Sequence, residues 1–219
     1  MPHASAKESQ HRFDVEYIGQ DVPYLDVQAM QEQTVADVLS GQPEKLYFVE
    51  HAPVYTAGSS AVDADYLGVN KIPVIKTGRG GKLTYHGPGQ RVVYPIVDLR
   101  PRGRDLRKYI ANLQQWLIDS LAEFGIEAFS NDDVGVWVNT PRGEEKIAAI
   151  GVRVRKWIAF HGIALNIHPD LDHFKGIIPC GIQNRGVTSM KALGVDVSLE
   201  EVDKVLLEKF EKQFGLPSS

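Results

Sequence analysis

Apolar residues recur along this chain with two periods, and each period predicts its own kind of element. Alternation marks strands: Phe13, Val15 and Tyr17 share one parity, and the runs 46–49, 73–77 and 92–97 are rich in β-forming residues. A second set covers 134–138, 147–154 and 157–167, the last two separated only by Arg155 and Lys156, which is the signature of a hairpin. Helical spacing joins Ile110, Leu113, Leu117, Leu121 and Phe124, with Gly125 placed to cap the end. Ser198 and Glu201 form a capping box that opens another helix through Val202, Val205, Leu206 and Phe210, stopping at Gly215 before Pro217. A third helix is expected over about 23–40, with Pro23 at an early position and Gly41 past its end. Residues 52–70 carry few signals and read as a long loop over a site. Strands and helices that mix without strict β-α-β alternation predict an α+β, mixed α/β fold. No repeat or linker divides the chain, so a polar, mobile tail at 1–11 followed by a single domain at 12–219 is expected.

Composition changes this picture little. Apolar residues make up 43% and charged residues 24%, ordinary globular values. The apolar runs fall well short of the roughly 20 residues that span a bilayer, and the first residues lack the apolar core of a signal peptide, so a soluble, cytoplasmic protein is expected, with no membrane partner. A net charge of −4 argues against nucleic acid as the main partner. One local exception is the run Arg100, Arg102, Arg104, Arg107 and Lys108, opposed only by Asp105: either a solvated loop or a docking patch for an acidic partner. A single cysteine excludes an internal disulfide and leaves Cys180 either a small buried residue or a reactive thiol.

Candidate chemistry begins in the segment 77–90, which places five glycines among polar and basic residues after an expected strand. Glycine there lets a ligand approach the main chain, and free N–H groups flanked by Arg79 and Lys82 suit an anion or a carbonyl oxygen, although a structural turn explains the glycines equally well. The spacing matches neither a phosphate loop nor a dinucleotide fingerprint. The order Arg79, Gly80, Gly81, Thr84, Tyr85, His86, Gly89, Gln90, Tyr94 nevertheless resembles the signature of the lipoyl(octanoyl) transferases, relatives of the lipoate and biotin protein ligases. A second constellation resembles the same family: the run 145–153, then 160–166, then Pro179, Cys180 and Gly181. Together these motifs span about half the chain; neither the first residues nor the last helix carries a comparable signature.

That resemblance implies the mixed α/β catalytic fold of the ligases and an acyl pocket lined by Arg79, Gly80, Gly81, Lys82, Leu83, Thr84, Tyr85 and His86. It implies Lys146, opening a strand, and Cys180, in a Pro-Cys-Gly turn, as a catalytic dyad. Substrate contacts fall on Ala149, Ile150, Gly151, Gly162, Ile163 and Ala164. The implied reaction carries an octanoyl group from acyl carrier protein through a thioester on Cys180 to a lysine of a lipoyl domain. The acceptors would be lipoyl domains of 2-oxoacid dehydrogenases and the glycine cleavage H protein, and neither nucleotide nor metal is required. Rival readings are an ATP-dependent lipoate or biotin ligase on the same fold and a non-catalytic acyl or cofactor sensor.

Residue chemistry agrees with the implied roles. A thiol with a pKa of about 8.5 is mostly protonated at neutral pH, and a neighbouring ammonium favours the reactive thiolate. Pro179 and Gly181 would hold Cys180 in a tight turn facing a site. Ala149 and Gly151, like Gly162 and Ala164, lie two apart, so each pair shares a strand face and leaves either a groove or room for close packing. A groove holding about six methylenes at ~0.8 kcal/mol each would contribute roughly 5 kcal/mol. His161, His168 and His173 with Asp170, Asp172 and Cys180 fit no usual zinc spacing. His161 is expected on one face with Ala159 and Ile163, where a hydrogen-bonded core histidine is at least as good a reading as a functional one. His86 is the better candidate for substrate contact.

Overall fold

A computed structural model describes residues 13–68, 71–177 and 186–215. In chain order β1 (Asp14–Val22) leads to α1 (Tyr24–Leu39), β2 (Lys45–His51), β3 (Val54–Ala57), β4 (Val74–Lys76), β5 (Leu83–His86), β6 (Gln90–Asp98) and α2 (Leu106–Ala122). There follow β7 (Ala128–Phe129), β8 (Val136–Thr140), β9 (Gly143–Arg155), β10 (Ile158–Asn166), β11 (Gly186–Val187) and α3 (Leu199–Phe214). Among the described residues the larger sheet runs β1-β2-β6-β10-β9-β8-β7, with β11 added beside β9. It is mixed: β1 pairs with β2, and β11 with β9, in parallel, and the other pairs are antiparallel.

Alternation decides what each face of this sheet covers. Val93, Val97, Ala159, Ile163 and Leu165 meet Leu113, Trp116 and Leu117 of α2 and Leu206 and Phe210 of α3. Val92, Tyr94, Ile96, Ile158, Phe160 and Ala164 meet Val27, Val35 and Val38 of α1 on the other face. Local signals hold the helices in place: the Asp105 side chain accepts from the Lys108 N–H, and Ser198 and Glu201 form the expected reciprocal capping box. Lys156 and Trp157 join β9 to β10 with φ of 49° and 67°, the left-handed pair that suits the twist of a two-residue hairpin.

Two expectations are corrected. Residues 52–70 are not one long loop, because all four residues of β3 are buried there, in a smaller sheet of order β4-β3-β5. The glycine-rich segment is not one loop, since Leu83–His86 form β5 against β3 and divide it into a loop at 77–82 and a short turn at 87–89. That loop folds onto an open strand edge. The register of β8 on β9 begins at Ala148, so among the described residues the rest of β9 has no strand on that side, and the Gly80 N–H reaches its Val152 carbonyl at 3.1 Å.

Helix α3 is tied to the sheet by a buried ion pair, Arg91 Nε to Asp203 Oδ1 at 2.7 Å, with Arg91 Nη2 donating to Oδ2 at 3.0 Å. Burial pushes the Asp203 carboxyl up to about 6, against the pull of the Arg91 guanidinium. Arg91→Met should therefore cost about 3–5 kcal/mol in urea unfolding at pH 8, because it strands a buried carboxylate. The sign of the pH dependence follows from the raised value. A carboxyl that binds its proton more tightly when folded is best tolerated at low pH and loses that advantage as pH rises through about 6. Without Arg91, which lowers it, the carboxyl rises further, so the deficit of the variant should shrink as pH falls from 8 toward 6 and level off below; a loss under 1 kcal/mol at pH 8 would show that the pair is not a structural tie. No helix among the described residues is long and apolar enough to cross a membrane.

Candidate active site

Where β9 runs past the end of β8, the glycine loop, β10, the start of α2 and residues 133–134 surround a cavity of about 390 Å³. Lys146 lines it and is only 7% exposed. It lies inside β9, which begins at Gly143, and so does not open the strand as expected. Its Nζ donates to the Val134 carbonyl at 3.1 Å and sits 4.7 Å from the centre of the Trp137 ring. Trp137 in turn donates from Nε1 to the Asp133 carbonyl, which holds that loop over the lysine. Room for the lysine comes from Gly135, at φ 145°: a Cβ there would stand 3.0 Å from Lys146 Cε and 2.9 Å from the Ala148 carbonyl oxygen.

Most residues expected to bind substrate meet in this cavity. Arg79, Gly80, Gly81, Lys82, Leu83, Thr84 and His86 line one side, and Ala149, Ile150, Gly151, Gly162, Ile163 and Ala164 the other. Tyr85 is the exception. Its ring packs edge-on against Tyr55 at 5.8 Å and Phe174 at 5.4 Å, inside the apolar core of the smaller sheet, and does not line the cavity. Arg79 is turned inward: Nε donates to Thr56 Oγ1, Nη1 to the Gly80 carbonyl, and Nη2 to the Lys82 carbonyl and to Thr56. Its stem packs over Gly151, where a Cβ would come within 3.0 Å of Arg79 Cδ.

A hydrogen-bonded chain of buried side chains runs on from Arg79. His86 joins Thr56 at 3.2 Å and Gln90 at 2.7 Å; Gln90 Nε2 donates to Asn166 Oδ1, and Asn166 Nδ2 to the Thr188 carbonyl. Full burial, helped by His51 and Arg79, pushes His86 down to about 3, so it stays neutral and fits a network that needs one donor and one acceptor. Beside it His51, pushed by burial to about 4, lies 3.0 Å from the Val22 carbonyl through Nδ1 and 2.8 Å from the Tyr94 hydroxyl through Nε2. Thr56, His51, Tyr24, Val134 and Trp137 belong to this site and were not singled out from sequence. They lie outside the two motif runs, and no local pattern marks them.

Two readings of β10 are corrected together. His161 has φ 58°, and pairing with β6 stops after Ala159 and resumes at Ile163. That break takes the imidazole off the Ala159 and Ile163 face and into the cavity, where it stacks on Phe160 at 5.0 Å and meets the edge of Tyr94 at 6.4 Å. It is not a hydrogen-bonded core histidine, because neither ring nitrogen has a partner among the described residues. Gly162 does not serve the groove by lacking a side chain: a Cβ there would stand 2.1 Å from the Val93 carbonyl oxygen, so glycine is required by the close approach of β6. Ala149 and Ala164, register partners on adjacent strands, are small residues that both line the cavity.

The basic run is also narrower than it reads. Arg100 is held by Asp98 and Arg102 by both oxygens of Glu44, which leaves Arg104, Arg107 and Lys108 exposed. Leu106 and Ile110, on the same first turns of α2, line the cavity. Cys180, Pro179 and Gly181 lie outside the described residues. Where the described chain resumes, Val187 of β11 is the register partner of Lys146, and the Thr188 N–H donates to the Lys146 carbonyl at 3.0 Å.

Solved structures define the class of this architecture. A bi-partite lipoate protein ligase from Thermoplasma acidophilum superposes with a TM-score of 0.75 at 21% identity, covering 92% of this chain and 83% of that one. Lipoate-protein ligase A bound with ATP gives 0.72 at 22% identity, covering 93% and 85%. The biotin protein ligase of Aquifex aeolicus gives 0.54 at 13%, covering 91% and 68%. The fold is thus that of lipoate and biotin protein ligase catalytic domains. The chain belongs to the lipoyl protein ligase A/B catalytic domain family, whose model matches residues 23–211. Within it, the octanoyltransferase of Zymomonas mobilis is 52% identical over 178 residues, 80% of this chain and 82% of that protein. The octanoyltransferase of Dinoroseobacter shibae is 49% identical over 205 residues, 89% of this chain and 93% of that protein.

Proposed function

We propose that this protein transfers an octanoyl group from acyl carrier protein to a lysine of a lipoyl domain, by way of a thioester on Cys180. The observation that carries this reading is the buried Lys146 amine in a cavity of about 390 Å³ that is also lined by the small residues Ala149, Gly151 and Ala164. Octanoyltransferase relatives about half identical over most of the chain support it. In the first half-reaction the Cys180 thiolate attacks the donor thioester, and the carrier's thiol leaves with a proton. In the second, the acceptor amine attacks the acyl-cysteine, loses a proton to the site and releases the thiol of Cys180. Lys146 serves both halves, its ammonium favouring the thiolate and its amine accepting a proton from the attacking lysine. Lipoyl domains of 2-oxoacid dehydrogenases and the glycine cleavage H protein are the acceptors this chemistry suits.

The glycine loop supports a thioester donor over an adenylate. Its arginine spends its donors on Thr56, Gly80 and Lys82, and Lys82 Nζ stands 3.7 Å from Asp65, so neither cation is turned outward to a phosphate. The test mixes the protein with octanoyl carrier protein and an apo lipoyl domain without nucleotide, and reads the mass of the domain. One octanoyl group should be gained. Octanoylation that instead requires free octanoate and ATP would make the protein a ligase, and acyl binding without transfer would make it a sensor.

Arg104, Arg107 and Lys108 beside the cavity suit an acidic carrier domain that delivers its acyl arm there. Reversing Arg104 and Arg107 to Glu should lower kcat/KM for the carrier-protein donor by about tenfold at low salt and flatten its salt dependence. A salt series that superposes on wild type would return these residues to a solvated loop.

A further inference from the structure

We infer that Thr56 is a positioning residue whose hydroxyl pins Arg79, and with it the glycine loop, against the cavity, and fixes His86 as its Nδ1–H tautomer. Thr56 sits in the buried strand β3 and does not itself line the cavity; Arg79 and His86, which it holds, both do. It therefore acts through them. Only the kinetic arm of the test below rests on the acyl-transfer reading.

The valence of one hydroxyl carries the argument. A threonine oxygen has two lone pairs and one hydrogen, and a guanidinium can only donate. Arg79 Nε at 3.0 Å and Nη2 at 2.9 Å occupy the lone pairs, so the hydrogen is left for His86 Nε2 at 3.2 Å, which must accept it. His86 then carries its proton on Nδ1 and donates to Gln90 Oε1 at 2.7 Å. The far end of the chain forces the same direction independently. The Thr188 carbonyl can only accept, so Asn166 turns Nδ2 to it at 3.0 Å and keeps Oδ1 for Gln90 Nε2 at 2.9 Å, which leaves Gln90 Oε1 for the imidazole. A second proton on His86 would aim a third donor at the Thr56 hydroxyl, and burial keeps that proton away.

The same guanidinium closes the loop on itself by donating to the Gly80 and Lys82 carbonyls at 2.9 and 2.8 Å. So closed, the loop spans from β3 to β9. The Ser59 and Ser60 N–H groups donate to the Arg79 and Gly81 carbonyls at 2.9 and 3.1 Å, and the Gly80 N–H donates to Val152 at 3.1 Å. A Cβ on Gly58 would stand 2.2 Å from the Gly81 carbonyl oxygen, so the loop packs directly on the backbone that follows Thr56. Without the hydroxyl, Arg79 Nε would face a methyl group in a buried site, and the loop would hold its place as a cavity wall less firmly.

The test compares wild type with Thr56→Val, which keeps the branched shape without the hydroxyl, and Thr56→Ser, which keeps the hydroxyl. In Thr56→Val, KM for octanoyl carrier protein should rise about tenfold while kcat stays within about twofold, since Lys146 is untouched; Thr56→Ser should restore KM to within about twofold of wild type. Amide exchange separates positioning from general stability: the Gly80 N–H should exchange at least about tenfold faster in Thr56→Val while the amides of β6 keep their wild-type rates. Equal acceleration of both, or no rescue by serine, would make Thr56 an ordinary core residue and overturn the inference. The ¹⁵N spectrum of wild type needs no variant: His86 should show a protonated Nδ1 and a bare Nε2, and the opposite tautomer would also overturn it. Failure of wild type to transfer octanoyl would sink the transferase reading instead, leaving the exchange and tautomer results to decide the role of Thr56.

Discussion

Lys146→Met is expected to lower octanoyl transfer by about 10²–10⁴-fold, the range that a positioned acid or base contributes, while the protein still folds. The fold should survive because methionine fits where the lysine stem lies, and its sulfur can keep a contact with Trp137. Among its losses is the hydrogen bond to the Val134 carbonyl, worth about 1 kcal/mol. Transfer should suffer far more, because both half-reactions need a group that changes its proton. The loss should fall on kcat and leave KM for the carrier donor nearly unchanged, since the cavity lining at Ala149, Gly151 and Ala164 is untouched. A second readout isolates the thiol. If the ammonium favours the thiolate, iodoacetamide should alkylate Cys180 more slowly in the variant at pH 7, and the difference should fade at pH 10, where the thiol ionises unaided. Wild-type turnover together with wild-type alkylation would remove Lys146 from the mechanism.

How far the sequence carries depends on whether a feature is local. The helices at 110–124 and 198–215 were legible because each has its own period and a stop or start signal: Ser198 and Glu201 make the expected cap, and Gly125, at φ 71°, lies just past the end of α2, whose N-cap Asp105 was not singled out. The β9–β10 hairpin was legible for the same reason. Strand β3 was missed because Val54–Ala57 is short and fully buried, so it shows no alternation, and its partner β5 was hidden inside a glycine-rich stretch. Lys146 entered through resemblance alone, whereas the glycine-rich segment and the small residues two apart only hinted at a site, since spacing says nothing of which strand edge lies open. Tyr85 shows the limit of a motif: its place in the signature reflects packing against Tyr55 and Phe174, not contact with the cavity. Alternation also misplaced His161, because a positive φ at one residue sends its side chain off the face that parity assigns. The chain from Thr56 through His86 and Gln90 to Asn166 joins four strands, and no reading of neighbours in sequence could assemble it.

Cys180→Ala should abolish transfer to within the uncatalysed background, and this is the sharper of the two tests because it addresses the bond that forms. A cysteine thiolate is the one strong nucleophile that the motifs supply, and the donor is itself a thioester, so exchange between donor and enzyme is nearly isoenergetic and needs no further activation. Mixed with octanoyl carrier protein and no acceptor, wild type should therefore gain one octanoyl group, visible as a mass shift that neutral hydroxylamine removes. Adding an apo lipoyl domain should discharge the adduct, and initial rates should give the parallel double-reciprocal lines of a double displacement. Cys180→Ser should fold and fail to accumulate the adduct under the same conditions, since a serine hydroxyl remains almost wholly protonated at neutral pH. It also tests whether bulk alone matters, because serine keeps nearly the volume of cysteine. Lys146→Met should accumulate the adduct slowly and discharge it slowly, whereas Cys180→Ala should never show it, so the two variants separate tuning of the nucleophile from the nucleophile itself. If Cys180→Ala transfers octanoyl at the wild-type rate, the acceptor lysine attacks the carrier thioester directly. Lys146 would then act as base in a single displacement, with the acyl chain held in the same cavity.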